Sequence, residues 1–253
     1  MTFPQRRGIG ALLSLLAVAV SAAASPDRDA AEVRLRFAGA SVWVVGERHR
    51  VVAGHQLFGA LVAQTLEAGE RVQVGLELPA DRQAALDAVM AGGAGVVAPV
   101  VIDCPSYRVL LIRLGELAGA YPGRLAVRAI DTPTGVTQDR DRHMAEALGR
   151  LQGGGQRVLA LVGNLHALKA APGRDKAEPP RLAARLKAAG LDVASLLQLG
   201  PSRAPREQYS GVLVATAAPA AAALQKLGRL VEGAETFDAS WPGRAADAVI
   251  LRP

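Results

Sequence analysis

Short apolar runs of strand length alternate along this chain with stretches of helical periodicity. Nearly every early run ends on an acid or a histidine. Ser41–Gly46 (SVWVVG) reads as a buried strand and is followed by Glu47, Arg48 and His49. Val72–Leu78 (VQVGLEL) carries Glu77 inside the run, Leu125–Asp131 (LAVRAID) ends on Asp131, and Arg157–Gly163 (RVLALVG) leads into Asn164, Leu165 and His166. Between them lie helical patterns over His55–Ala68, Pro79–Met90, Ser106–Tyr121 and Thr137–Gln152. Further on, Pro180–Ala189 reads as a helix, and Asp192–Leu199, Gly211–Thr216 and Ala246–Leu251 read as strands. This alternation predicts an α/β fold, a single domain with a mostly parallel central sheet flanked by helices.

Open sheets of this kind bind ligands outside the carboxyl ends of their strands. Glu47, His49, Glu77 and His166 are therefore expected to converge on one pocket and to form its catalytic set. His55, Asp131 and Asn164 are expected to surround them. Glu77 stands out because an unpaired carboxylate is costly in an apolar run, so a histidine, an arginine, a metal or a substrate donor should compensate it. Two histidines with two carboxylates can hold a divalent metal or activate water without one, and the residue types leave both open. His143 reads as a surface residue of its helix, and the lone cysteine, Cys104, as a packing residue. No G-x-S-x-G elbow, phosphate-binding glycine loop or H-E-x-x-H helix is present.

The start of the chain reads as a signal peptide over residues 1–24. Arg6 and Arg7 precede the uncharged apolar stretch Ile9–Val20, and Ala22-Ala23-Ala24 offers a cleavage site before Ser25. The apolar stretch is short for a membrane span, and no later run is long enough. The expectation is an exported protein, periplasmic or secreted, with residues 25–253 as the mature domain. No cysteine follows the stretch, so no lipid anchor is expected. The net charge of +6 falls to +4 without Arg6 and Arg7, and the remaining arginines are interspersed with acids. Nucleic-acid binding would require a basic stripe or cluster, which is absent.

At these same residues the chain resembles the ChaN-like haem-binding uptake proteins and the erythromycin-esterase-like enzymes, grouped with the Tiki and TraB proteins. Gly46-Glu47-Arg48-His49, with His55 and Gln56, is similar to the GExH opening of the ChaN-like branch. Glu77 in VGLELP, followed by Gln83 and Leu86-Asp87, resembles the strand glutamate and its helix. Asp139–Ala145 (DRDRHMA) resembles the RDxxMA helix of the esterase-like branch, and Val162–Ala167 (VGNLHA) its late G-N-x-H-A segment. The resemblance implies His49 as general base or metal ligand, oriented by Glu47 and Glu77. It implies His166 as transition-state stabiliser or metal ligand, with Arg140 and Asp141 bracing the pocket. Three functions follow as expectations: a hydrolase of an ester, amide or peptide bond, a haem-binding uptake protein, or a non-catalytic relative. Partners would be a small-molecule or peptide substrate, or haem, and a homo-oligomer is left open. The chain departs from the ChaN pattern in lacking a lipidation cysteine, and its tyrosines for haem are Tyr107, Tyr121 and Tyr209. It also lacks the helical insertions of macrolide esterases.

Overall fold

A computed structural model describes residues 25–93, 102–170, 179–199, 212–232 and 241–251. The expected leader, Tyr209 and most of the Pro-containing loops after residues 170 and 199 lie outside these. Helix α1 (Pro26–Phe37) leads into β1 (Val42–Glu47), then α2 (Val52–Glu67) and β2 (Val72–Pro79). A 3-10 turn at Ala80–Arg82 precedes α3 (Gln83–Met90). Then come α4 (Pro105–Ala120), β3 (Leu125–Asp131), α5 (Arg140–Leu151) and β4 (Arg157–Gly163). The rest is α6 (Leu182–Ala188), β5 (Val193–Leu199), β6 (Val212–Val214), α7 (Ala218–Glu232), α8 (Trp241–Ala245) and β7 (Ala248–Leu251).

The strands form one sheet in the order β3-β2-β4-β1-β5-β7-β6. Every neighbouring pair is parallel except β6 with β7. The expected mostly parallel sheet flanked by helices is therefore the observed architecture. Strands β1 and β4 are buried on both faces, as their unbroken apolar runs require.

Side-chain alternation divides the core in two. Trp43 and Val45 of β1, with Val72, Val74, Leu76 and Leu78 of β2, pack on one face beneath α1, α2 and α4. Val42 and Val44, with Val158, Ala160 and Val162, pack on the other beneath α5, α6 and α7. The Trp43 indole N–H donates to Phe37 O at 2.9 Å, tying α1 to the first face. Because successive residues point to opposite faces, Glu47 shares the face of Val45 and meets α2. Glu77 takes the opposite face and meets α5. Gly75, two residues earlier on that face, leaves room for α5, since a Cβ there would fall 2.5 Å from the Leu148 side chain. No helix among the described residues is long and apolar enough to cross a membrane.

Candidate active site

Strands β2, β4 and β1 are adjacent in the sheet, so their carboxyl ends bring Glu77, Gly163 and Glu47 side by side; Glu47 is in register with Gly163. His49 follows β1 in a tight turn in which Val51 N donates to Arg48 O at 3.2 Å. Arg50 adopts φ +69° there, a left-handed conformation costly for a side chain of this size. The turn carries His49 back over the sheet edge. His49 Nδ1–H donates to Glu47 Oε1 at 3.1 Å. A Cβ built on Gly163 would lie 3.3 Å from His49 Nε2 and 3.5 Å from Glu77 Oε2, so this glycine lets both side chains approach the end of β4.

Glu77 is almost fully buried and its charge is well compensated. Its Oε2 accepts the Gly163 backbone N–H at 2.6 Å. Its Oε1 accepts from Arg140 Nη2 at 2.6 Å and lies 3.4 Å from His166 Nε2. Arg140 also grips Asp131, through Nη2 to Oδ2 at 2.5 Å and Nε to Oδ1 at 3.0 Å. The His166 Nδ1–H donates to Asp141 Oδ1 at 2.7 Å, and that oxygen also accepts the Leu182 N–H at 2.8 Å. A carboxylate at each ring nitrogen stabilises the doubly protonated imidazolium.

The ionisation states follow from these contacts. Burial pushes Glu77 upward, but His166, the Gly163 N–H and Arg140 outweigh it and bring its pKa down to about 2. Burial likewise opposes charging His166, and Asp141 and Glu77 reverse the balance, raising it to about 9. For Glu47 burial is again outweighed, here by His49 and His55, so its pKa lies below the usual carboxylate value. His49 is raised chiefly by its hydrogen bond to Glu47; burial opposes this, and the charge of Glu77 adds to it.

His49, Glu77, Asp131 and Arg140 open onto a cavity of about 380 Å³, walled by Thr132–Thr137 beyond β3. His166 backs Glu77 and is not among the lining residues. Asn164 has a different place. Its Nδ2 donates to Gln198 O at 2.8 Å and its Oδ1 accepts the Gln198 N–H at 3.0 Å, continuing strand-like pairing across the end of β1 toward β5. Gly46 makes way for it: a Cβ there would fall 2.7 Å from Asn164 Oδ1. His55 is buried on α2, with Nε2 2.9 Å from Glu47 Oε2 in an oblique approach that satisfies neither atom as a hydrogen bond. Cys104 is buried, as expected of a packing residue. Two participants escape a reading of side chains alone, the Gly163 amide and the Thr132–Val136 turn, where the Thr132 hydroxyl donates to Val136 O at 2.6 Å. The Thr-Pro-Thr-Gly run after β3 is the visible signal for that turn.

Arg140 is the cation shared by two buried carboxylates, so Arg140→Ala should destabilise the fold. With His166 still beside Glu77, the loss should be about 2 kcal/mol, below the usual range for breaking a buried pair. Urea denaturation measures it, and a change under about 0.5 kcal/mol would show that Arg140 is not what compensates these acids.

No protein-family model and no curated protein matches the chain in sequence. Solved structures do match in fold. Erythromycin esterase EreC, as a histidine-to-asparagine mutant in its open conformation, is 11% identical with a TM-score of 0.59 over 88% of this chain and 93% of that one. A Bacillus cereus protein is 12% identical with a TM-score of 0.55 over 91% and 92%. ChaN of Campylobacter jejuni, solved with cofacial haem, is 12% identical with a TM-score of 0.47 over 88% and 91%. The chain has the single-sheet α/β fold of erythromycin esterase.

Proposed function

We propose that the chain is an exported hydrolase of an ester, amide or peptide bond in which His49 activates water, in line with the wider Tiki and TraB resemblance of its motifs. The observation that carries this reading is the pair of His49, which lines the cavity, with Glu47, which is buried and does not. A Glu47 carboxylate accepting the His49 Nδ1–H leaves the lone pair of the neutral imidazole on Nε2, on the side of Gly163 and Glu77. A water there would give its proton to Nε2 as its oxygen attacks the substrate carbonyl. The Arg140 guanidinium in the cavity wall supplies positive charge for the developing oxyanion. Collapse of the tetrahedral intermediate breaks the bond to the leaving group, which takes the proton back from His49. Glu77 and Asp131 fix Arg140, and His166 with Asp141 fixes Glu77.

The donor set does not suit a divalent metal. Both Glu77 oxygens, Asp131 and His166 are engaged by Arg140, the Gly163 amide and one another. Among the described residues no group of three or more His, Cys, Asp or Glu is arranged to hold an ion. Nor do the described tyrosines suit haem. Tyr107 is buried with its ring edge-on to His55, and Tyr121 lies at the end of α4 beneath Arg124. Neither lines the cavity, so no step passes through either group.

The general base must be neutral to work, and His49 is raised above its ordinary value of 6.5. The rate should therefore climb with pH along a limb lying above 6.5. Glu47→Gln removes the largest cause of the rise and should move the limb to lower pH. Glu77→Gln, whose effect is only through space, should move it less. pH–rate profiles of kcat/KM for the two variants check this, and a limb unmoved in both would dismiss His49 as the base.

A further inference from the structure

Glu47 has a second oxygen, and the mechanism above does not use it. Oε2 faces His55, whose other ring nitrogen, Nδ1, lies 2.8 Å from Ser106 Oγ. The Glu47 carboxylate 2.9 Å from His55 Nε2 favours the tautomer with its proton on Nε2, although the contact is too oblique for a hydrogen bond. In that tautomer Nδ1 accepts from the Ser106 hydroxyl, whose oxygen also lies 3.3 Å from Cys104 Sγ. A hydroxyl polarised by an imidazole that is backed by a carboxylate is the arrangement of an activated nucleophile.

Ser106 is half-buried in the first turn of the 16-residue helix α4. Pro105 has no N–H and the Tyr107 and Arg108 amides both donate to Cys104 O, so the helix end contributes its dipole rather than a set of free donors. Ser106 and His55 stand together on the wall of a groove between α2 and α4, separate from the cavity of His49. The groove encloses about 810 Å³, within the range of small-molecule sites. Gly59, Ala60 and Ala63 of α2 recur at helical spacing and hollow one wall. Val109 and Leu110 of α4 form the other, and Val109 is 65% exposed although apolar. The groove runs from Ser106 and His55 past these small residues toward Gln64, Glu67 and Arg113, so its apolar middle fits a short aliphatic chain with its carbonyl at the Ser106 end.

We propose that Ser106, His55 and Glu47 form a second, nucleophilic site that hydrolyses esters of aliphatic acids, the acyl chain lying between α2 and α4. In the first half-reaction Ser106 Oγ attacks the ester carbonyl and its proton passes to His55 Nδ1. The tetrahedral oxyanion collapses, the bond to the alkoxide breaks, and the Nδ1 proton leaves with the alcohol. Water then attacks the acyl-serine, gives a proton to Nδ1, and releases the fatty acid as Ser106 recovers its hydrogen. The oblique Glu47–His55 contact must straighten during turnover, as contacts in unliganded sites commonly do. This site shares Glu47 with the reading above but has its own base and nucleophile, so an adduct at Ser106 tells the two apart.

The test is a fluorophosphonate probe on the full chain, with the adduct mapped by mass spectrometry, together with p-nitrophenyl esters from acetate to decanoate. One adduct per chain is expected, on the peptide bearing Ser106. kcat/KM should rise about threefold per added methylene until the groove is filled. Ser106→Ala should abolish both the adduct and decanoate hydrolysis. His55→Gln should slow labelling about 100-fold. A His55→Gln chain with an intact thermal transition that labels at Ser106 as fast as wild type would overturn the assignment of His55 as the base. A folded wild-type chain that takes no adduct at Ser106 overturns the site without recourse to any variant.

Discussion

Replacing His49 with alanine should cut kcat/KM for the substrate that uses the 380 Å³ cavity by roughly 100- to 10,000-fold, the usual worth of a positioned general base. The fold should tolerate the change. Among the described residues the His49 side chain hydrogen-bonds Glu47 alone, and it is 28% exposed, so the thermal transition should move little. Glu47 would keep His55 as a neighbour. The effect on rate should therefore separate cleanly from the effect on stability. Arg140→Ala should lower both, because it compensates Glu77 and Asp131 as well as lining the cavity. A panel of ester and amide substrates assayed with wild type and His49→Ala provides the measurement. An equal rate in the two proteins would remove His49 from the chemistry. Adding a chelator to the wild type should leave the rate unchanged, because the carboxylates a metal would need are already held by Arg140 and the Gly163 amide.

Much of this site is readable from the strand ends. Glu47, Glu77 and the Gly163–His166 segment each close a parallel strand, and ligands gather at such ends whatever the order of strands. The order itself is not readable, and it matters: only because β4 lies between β2 and β1 does the Gly163 amide reach Glu77 and leave room for His49. The compensation of Glu77 was legible as a need but not as a partner. Its position in β2 turns it toward α5, so Arg140 and His166 meet it, while Glu47 turns toward α2 and His55. Which helix covers which face depends on tertiary packing. Asn164 reads like a site residue but acts as a clamp across the end of β1. Helix α1 has Ala30, Val33 and Phe37 on its buried side, yet its many charges hide that stripe. α7 opens on alanine and proline over Ala218–Ala223, and its leucines begin only at Leu224, which shortens the visible periodicity.

The pairing of Glu77 with His166 should also be visible as a stability profile with two shoulders. His166 is raised from 6.5 to about 9 in the folded chain. The unfolded chain takes up its proton near 6.5, so the stabilisation is fully present below that pH and is lost as pH rises through 9. At 1.36 kcal/mol per pKa unit the loss is on the order of 3 kcal/mol. Glu77 has the opposite sign. Its pKa falls from 4.5 to about 2, so its contribution is present above pH 4.5 and disappears as pH falls through 2. Asp141 and Glu77 together raise His166, and the Glu77–His166 contact enters both values, so adding them would count it twice. Stability should therefore be highest between about pH 4.5 and 6.5, with an alkaline decline set mainly by His166. His166→Gln should lower the plateau and flatten that decline, because glutamine has no proton to lose. Asp141→Asn should flatten it in part, since it removes one of the two carboxylates that hold the imidazolium. Urea unfolding from pH 4 to 10 on the three proteins measures this. If the His166→Gln chain declines between pH 6.5 and 9 as steeply as the wild type, the alkaline shoulder belongs to another group and His166 is not held as a cation against Glu77.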